Sequence, residues 1–336
     1  MSLQHGLLAT PLRSWVWSSE GQEMADCLSL QSGRKHFVTL FNKDYASRGL
    51  ALYWSLSQHS LDFQLWVVAL DDYTETLFRE LRLESTTVIS VNEIETVELQ
   101  EKKRGRSFAE YCWTLTPFTF EAVFEREPSA SSVTYVDADM WFAASPDSLV
   151  EAFHKSQADV LITEHAFHPA FDASATSGYF CVQFLTARRD KAKDILDEWK
   201  SQCLDWCFSY PDNGRFGDQG YLTKWPEKFG ERVFIPASKE WFQGPWNALR
   251  FPYSEAMAYH FHSLNYLGKG EYDVGLYPIP KPHRKGLYAP YSAALKEAEN
   301  AIRSAGFTPY GTVGIPEKVN ALAHRLVRFR EVWTTH

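Results

Sequence analysis

The sequence predicts an α/β fold: a mixed, mainly parallel central sheet with helices on both faces, followed by a C-terminal helical extension. Three observations lead there. The segment from His36 to Val91 spells strand, helix, strand, helix, strand. A fourth apolar strand runs into Tyr135-Val136-Asp137-Ala138-Asp139-Met140, which puts two carboxylates on a strand terminus. The chain has 336 residues, 45% of them hydrophobic, enough for one large domain or two small ones with a substantial core.

Residues 1–34 carry no sustained period and read as an irregular lead-in on which Trp15 and Trp17 are expected to dock against the body. Phe37-Val38-Thr39-Leu40-Phe41 is a buried-strand run, after which Leu50, Tyr53, Trp54 and Ser57 recur at helical spacing. Phe63 to Leu70 is the second strand, Thr74 to Leu83 the next helix, and Thr86 to Val91 the third strand. Alternation of this kind implies parallel strands joined by crossover helices. Ligands of such sheets bind beyond the carboxyl ends of the strands, where Asn42, Asp71 and Asp72 fall.

The basic stretch Lys102-Lys103-Arg104-Gly105-Arg106 precedes a helix expected from Ser107 through Phe124, and one of its cations is a candidate phosphate contact. Val133 to Val136 delivers the Asp pair, and Ser145-Pro146-Asp147 supplies an N-cap, a proline at the first helical position and an early acid. Asp159 to Thr163 and Tyr179 to Phe184 read as further strands, and Asp190 to Asp205 as a helix. Between them, Glu164 to Gly178 is a polar loop holding His165, His168 and Asp172. From about residue 270 to Pro290 a Pro, Gly, Tyr and Lys composition reads as an irregular linker. Two helices close the chain. The last, Pro316 to about Trp333, gathers Val319, Leu322, Ala323, Leu326 and Val327 on one side and Lys318, Arg325, Arg328 and Arg330 around the rest, a pattern that suits packing or contact with an anionic membrane surface. The resulting organisation is a lead-in over 1–34, a main domain over 35–268, and a linker with helical extension over 269–336.

Charge and composition narrow the function. With 34 basic against 42 acidic residues the net charge is −8, which argues against a nucleic-acid binder relying on phosphate neutralisation. Twelve Trp, 16 Tyr and 23 Phe make the chain 15% aromatic, material for the core and for stacking against flat ligand faces. Cysteines 27, 112, 181, 203 and 207 lack zinc-ribbon spacing, and their number is odd, so a reducing compartment is expected. No basic stretch leads into a long apolar run, and no segment has the length to span a bilayer, so the expected localisation is cytoplasmic, with the inner membrane face open through the last helix.

Two carboxylates one residue apart at a strand end suit a hard divalent cation. Mn²⁺ and Mg²⁺ take oxygen ligands at about 2 Å and keep positions open for water or substrate phosphates.

Beyond this pair several motifs fall in a family order. Val133-Thr134-Tyr135-Val136-Asp137-Ala138-Asp139 is followed by Ser177-Gly178-Tyr179-Phe180, by Asp218-Gln219-Gly220-Tyr221-Leu222 and by His260-Phe261-His262. Over about residues 36 to 265 the chain resembles the GT-A (Rossmann-like) nucleotide-diphospho-sugar glycosyltransferases, most of all the retaining, metal-dependent members of glycosyltransferase family 8. The resemblance implies that Asp137 meets the nucleotide and metal side of the donor, that Asp139 ligates Mn²⁺ or Mg²⁺, and that His260 is the third ligand, with His262 the runner-up. It implies that Asp218 and Gln219 face the donor sugar and its anomeric carbon, and that Thr39, Phe41 and Asn42 lie along base and ribose. Arg106 and Glu110 are further candidates for the donor pocket. The chain departs from the family pattern at Ser263, where a Gly is usual, at Gly220, where a third acid is usual, and in lacking the following Lys-Pro-Trp. Lys269 or Lys281 is the expected substitute for that lysine.

The implied partners are a nucleotide-diphosphate sugar and a glycan, lipid-linked or small-molecule acceptor. A bound cation would stabilise charge developing on the departing diphosphate. Inversion at the anomeric carbon would need a base, for which Asp172, Glu240 and Asp218 are candidates; without a carboxylate nucleophile beside Gln219, retention through front-side attack is expected. Competing readings are a phosphatase of the haloacid-dehalogenase kind using Asp137 and Asp139, and a carbohydrate-binding or scaffold protein on a degenerate transferase fold.

Overall fold

The structure, a computed structural model, describes residues 33–312. Apart from Gly33 and Arg34, the expected lead-in with Trp15 and Trp17 lies outside the described residues, as do Cys27 and the basic helix expected over Pro316 to Trp333.

Strands β1 (Lys35–Phe41), β2 (Phe63–Ala69), β3 (Thr86–Ser90) and β4 (Ser132–Val136) are parallel, paired β3 to β2, β2 to β1 and β1 to β4. Helices α1 (Ala46–His59) and α2 (Asp72–Leu81) make the first two crossovers. Helices α3 (Val97–Arg104) and α4 (Phe108–Arg126) make the third. The sequence reading had only α4 there, because α3 buries a single apolar side chain, Leu99, and so shows almost no periodicity. β1 and β2 are buried on both faces, which is why they read as unbroken apolar runs rather than alternating ones.

The chain then forms β5 (Met140–Phe142), α5 (Asp147–Ser156), β6 (Val160–Glu164), the short α6 (Ser174–Ser177), β7 (Phe180–Arg188), α7 (Lys193–Asp205), α8 (Trp225–Phe229) and β8 (Val233–Phe234). β7 lies antiparallel between β4 and β6, and β8 pairs parallel with β6, giving a seven-stranded mixed sheet in the order β3-β2-β1-β4-β7-β6-β8. One face packs Phe37, Phe41, Leu50, Phe78 and Phe153. The other packs Val38, Leu40, Tyr111, Phe120, Leu196 and Trp199. Cys203 in α7 and Cys207 just beyond its end are both fully buried and free, as packing residues.

Several local assignments resolve differently from the sequence reading. Asp71 caps α2 by accepting from Thr74 N at 2.7 Å and also receives Lys43 N at 2.9 Å, fastening the turn after β1 to the end of β2. At α5 the cap position is Pro146, without a side-chain cap bond, and Asp147 reaches away to Ser60 Oγ at 2.7 Å and Lys35 Nζ at 3.3 Å. The stretch from 270 to 290 is not an irregular linker throughout. It contains β12 (Glu271–Asp273), paired with β11 (Asn265–Gly268), and α9 (Lys281–His283), which continues through a wide turn at Arg284–Tyr288 into α10 (Ala289–Ser304). Its prolines and glycines mark turns, yet Val274, Ile279, Leu287, Tyr288 and Tyr291 bury against Tyr259 and Phe261. Among the described residues no helix is long and apolar enough to cross a membrane.

Glu110 belongs to this framework. It closes a capping box with Ser107, whose N–H it accepts at 2.8 Å, and takes Ser209 N and Ser209 Oγ at 2.8 and 2.9 Å. Burial raises its pKa, but the hydrogen bonds from Ser209 and Ser107 outweigh burial and hold the carboxyl at about 2. A depressed carboxylate stabilises the fold above its unfolded pKa and loses that contribution as pH falls through the folded value. Glu110→Gln is therefore expected to cost on the order of 2–3 kcal/mol in urea unfolding at pH 7. The gap to wild type should shrink as pH falls from about 4 toward 2, and a gap independent of pH would remove the charge from the explanation.

Candidate metal and donor site

β4 ends at Val136, and the chain turns tightly through Asp137-Ala138-Asp139, with Met140 N donating to Asp137 O at 3.1 Å, before starting β5. β5 belongs to a second, three-stranded sheet with β9 (Phe242–Gln243) and β10 (Ala258–His260). β10 pairs antiparallel with β5 so that His260 stands opposite Met140, and Phe261 N donates to Asp139 O at 3.0 Å. This pairing carries a histidine from far along the chain onto the Asp pair. His260 Nε2 lies 3.1 Å from Asp139 Oδ1 and 3.8 Å from Asp137 Oδ2. The three ligand atoms are all within 4.8 Å of one another.

The site is largely closed, the Asp137, Asp139 and His260 side chains being 28%, 12% and 10% exposed. Burial raises the Asp137 carboxyl, and the Asp139 charge adds to the rise against the opposing pull of His260. Burial also works against the Asp139 carboxylate, but His260 overrides it and holds Asp139 at about 2. His260 itself is raised well above the usual imidazole value, because the Asp139 charge and hydrogen bond outweigh its burial. Asp218, buried nearby, is pushed up to about 8 by burial first and by the charge of Asp137 second. Tyr135 Oη donates to Asp137 Oδ1 at 2.9 Å. Three carboxyl groups thus share a desolvated space with one imidazole, which keeps Asp139 ionised while burial drives Asp137 and Asp218 toward their neutral forms.

The donor set fits a hard divalent cation. Two carboxylate oxygens and one imidazole nitrogen are ligands that Mn²⁺ accepts and Mg²⁺ tolerates. Octahedral bonds of about 2.1 Å would set neighbouring ligand atoms about 3 Å apart; His260 to Asp139 matches this at 3.1 Å, while Asp137 stands farther off at 3.8 Å.

Of the residues expected at the site, the structure brings together Asp137, Asp139, His260 and Asp218. His262 is exposed, with its ring centroid 5.8 Å from that of His260. Gln219 donates its amide nitrogen to Ser177 O at 2.6 Å, alongside Gly178. Gly178 has φ +90, and a Cβ there would lie 3.4 Å from Gln219 O, so a glycine lets β7 begin close to this loop. Asn42 caps the turn after β1, accepting from Asp44 N at 3.2 Å. Thr39 is fully buried within the sheet.

Two expected pocket residues are placed elsewhere. The Phe41 side chain is in the core, its ring 5.1 Å from that of Phe78 and against Gly49, because alternation along β1 puts it on the same face as Phe37. Arg106 is spent on structure: it donates to Thr114 Oγ1 and, at 2.8 Å, to Leu204 O. Lys269 is exposed between β11 and β12, and Lys281 is exposed at the start of α9. Instead, the buried Arg48 on α1 helps hold Asp139 ionised while donating to Asp44 O and Leu264 O, each at 3.2 Å. Asp172 is exposed and accepts from Ser174 N at 2.9 Å.

The sequence reading missed Gln183 and the Trp246-Asn247 pair. Gln183 Oε1 is 3.1 Å from His260 Nδ1, and the Trp246 ring meets the His260 and His262 rings edge-on at 5.4 and 5.9 Å. The available signal was polarity out of place. A Gln within the buried run Phe180-Cys181-Val182-Gln183-Phe184 needs a partner, and a partner is a reason to be there.

The chain can now be set beside known proteins. No protein-family model matches it. It is 30% identical over 199 residues to the uncharacterized protein YfnF of Bacillus subtilis (strain 168), an alignment covering 57% of this chain and 66% of that protein. Over 297 residues it is 27% identical to the uncharacterized protein YfnD of the same organism, covering 82% and 94%. Among solved structures it is similar to the WbbM bifunctional glycosyltransferase in its apo structure, with 13% identity, TM-score 0.53, and coverage of 82% of this chain and 52% of that one. It is also similar to apo GlyE, a glycosyltransferase of Streptococcus pneumoniae TIGR4, with 14% identity, TM-score 0.50, and coverage of 83% and 66%. The fold is GT-A. The chain spans about half the length of the first of these structures and about two thirds of the second. In GT-A terms β1 to β4 form the parallel half of the sheet, and Asp137 and Asp139 sit at the carboxyl end of β4, the strand beside β1 where the strand order reverses.

Proposed function

We propose that this protein is a metal-dependent glycosyltransferase that moves a sugar from a nucleotide-diphosphate donor to a hydroxyl of a glycan, lipid-linked or small-molecule acceptor, with retention. The observation that carries the reading is the Asp137, Asp139 and His260 cluster, with Asp218 beside it, at the carboxyl end of β4 on a GT-A sheet. The names of the two similarly folded proteins, both glycosyltransferases, support it.

In this reading Asp137, Asp139 and His260 hold Mn²⁺ or Mg²⁺. A cation held there would supply positive charge against that developing on the nucleoside diphosphate leaving group. Thr39 within β1 and Asn42 in the turn after it mark the base and ribose end of the donor, and Asp218 and Gln219 mark the sugar end. The group taken to face the anomeric carbon is Gln219, an amide that offers no nucleophile for a double displacement, while the buried Asp218 beside it is pushed up to about 8 and so favours its neutral form. The acceptor oxygen therefore bonds to the anomeric carbon on the face the leaving group departs from, and its proton passes to the departing phosphate oxygen. The near-closure of the cluster excludes bulk water, which favours transfer over hydrolysis.

Thermal unfolding tests the reading without knowledge of the acceptor. A nucleoside diphosphate should raise the melting temperature in the presence of Mn²⁺, by about 2.7 kcal/mol of added stability at a hundredfold excess over Kd, and leave it unchanged in EDTA. Equal stabilisation in EDTA would favour a metal-independent site. A panel of sugar nucleotides with Mn²⁺ then identifies the donor.

A further inference from the structure

We propose that Gln183 is the positioning residue of this metal site: its amide oxygen takes the proton on His260 Nδ1 and thereby reserves Nε2 for the cation. The inference rests on the metal reading above. Gln183 lies within β7, fully buried, with Oε1 3.1 Å from His260 Nδ1. An amide oxygen only accepts, so the imidazole must carry its proton on Nδ1, and the other ring nitrogen is the one that meets Asp139 and Asp137. The backbone of the same residue receives Asp137 N at 3.2 Å. One residue of a central strand thus fixes both the ring of the third ligand and the start of the carboxylate turn. Histidine ligands generally depend on such a partner at the remote nitrogen for tautomer and orientation.

A second observation separates this role from simple packing. Gln183 Nε2 is buried and has no hydrogen-bond partner among the described residues. An orphaned buried amide hydrogen is a net cost to the fold, so the interior does not need this side chain for its own hydrogen bonding. Methionine, similar in shape and free of strong donors, removes that cost. It also takes the Oε1 acceptor from His260 Nδ1 and leaves the ring with the neighbouring Cys181 thiol, which also bonds it and is the weaker partner, a cost of opposite sign. The substitution should therefore leave stability nearly unchanged while releasing the ring.

The test is Mn²⁺ binding to the full chain, followed by the electron paramagnetic resonance of free Mn²⁺, together with the melting temperature of the metal-free protein. For Gln183→Met we expect a Kd for Mn²⁺ roughly 10–100-fold weaker than wild type at a nearly unchanged metal-free melting temperature. Gln183→Glu keeps an acceptor at Nδ1 and is expected to bind Mn²⁺ within about threefold of wild type, the behaviour of a carboxylate in the same supporting place. Wild-type affinity in Gln183→Met would overturn the assignment, as would tighter binding, which would mean that the amide presents its NH₂ to the ring. Loss in a folded Gln183→Glu equal to that in Gln183→Met would also overturn it. Absence of Mn²⁺ binding in wild type would overturn the metal reading itself and this assignment with it.

Discussion

Asp139→Ala is expected to abolish Mn²⁺-dependent binding of a nucleoside diphosphate, and with it release of that diphosphate from a sugar nucleotide. Asp139 is the carboxylate on which the cluster turns. Its side chain is 12% exposed, lies 3.1 Å from His260 Nε2, and is held at about 2 by His260 against its own burial. Removing it takes away a ligand and also the partner that keeps His260 charged in the metal-free protein. The loss of affinity should exceed the roughly 10–100-fold typical of an outer partner. Breaking a buried pair from one side costs about 3–5 kcal/mol when the remaining charge is stranded. His260 can shed its proton, so the stability cost here should fall below that range. The pH dependence of the metal-free protein follows from the two shifts. Asp139 contributes above the ordinary aspartate range and loses its contribution as pH falls toward 2, whereas His260 contributes below its ordinary value and loses its share as pH rises through its raised one. The pair therefore stabilises the fold across neutral pH. Asp139→Asn, which keeps shape and one oxygen, separates ligand loss from packing: it should lose Mn²⁺ as Asp139→Ala does. Unchanged Mn²⁺ affinity in both variants, measured by calorimetry, would sink the metal site.

Asn247→Ala should be the most destabilising polar substitution near the site. Asn247 is fully buried and uses its amide completely: Oδ1 accepts from Gly244 N at 2.9 Å, and Nδ2 donates to His165 O at 2.9 Å and Phe242 O at 3.1 Å. These bonds tie the strand at Phe242–Gln243 to the loop after β6, and they position Trp246, whose Nε1 donates to the same His165 carbonyl at 2.7 Å. Truncation leaves one donor and at least one acceptor unpaired in the interior, which at about 1–3 kcal/mol each predicts a loss of about 3–5 kcal/mol in urea unfolding. Asn247→Asp should be at least as severe, since it still accepts from Gly244 N but faces two carbonyl oxygens with a carboxylate. The Trp246 ring meets His260 edge-on at 5.4 Å, so loosening it should also weaken Mn²⁺ binding, by about tenfold, a size typical of lost outer support. A loss of under about 1 kcal/mol in both variants would mean that water replaces the amide.

Much of the parallel half is legible in the amino-acid sequence. β1 and β2 announce themselves because both faces are buried, β3 by its short β-branched run, α1 by apolar spacing, and α2 and α4 by side-chain caps at Asp71 and Ser107. The Asp pair was legible for a similar reason: a strand that runs out of apolar residues onto two carboxylates presents them at the sheet's carboxyl edge. Phe41, Arg106 and Glu110 show where that reasoning stops. Each is the right residue type near the right strand or helix end, yet Phe41 points into the core, Arg106 secures the carbonyl at Leu204, and Glu110 caps its own helix.

The sequence by itself determined the α/β character, the order of the parallel crossovers and the position of Asp137 and Asp139 at the end of a strand, because these depend on periodicities and caps that operate over a few residues. Only the tertiary structure decided that His260 rather than His262 meets the carboxylates, that Asp218 is buried near Asp137, where burial first and that charge second push it up to about 8, and that Gln183 stands behind the histidine. Those contacts join segments far apart in sequence through β5, β9 and β10, strands of two or three residues too short to show a pattern. They form because burying the strands leaves backbone and side-chain polar groups that must find partners across the fold, and no local rule names which partner that is.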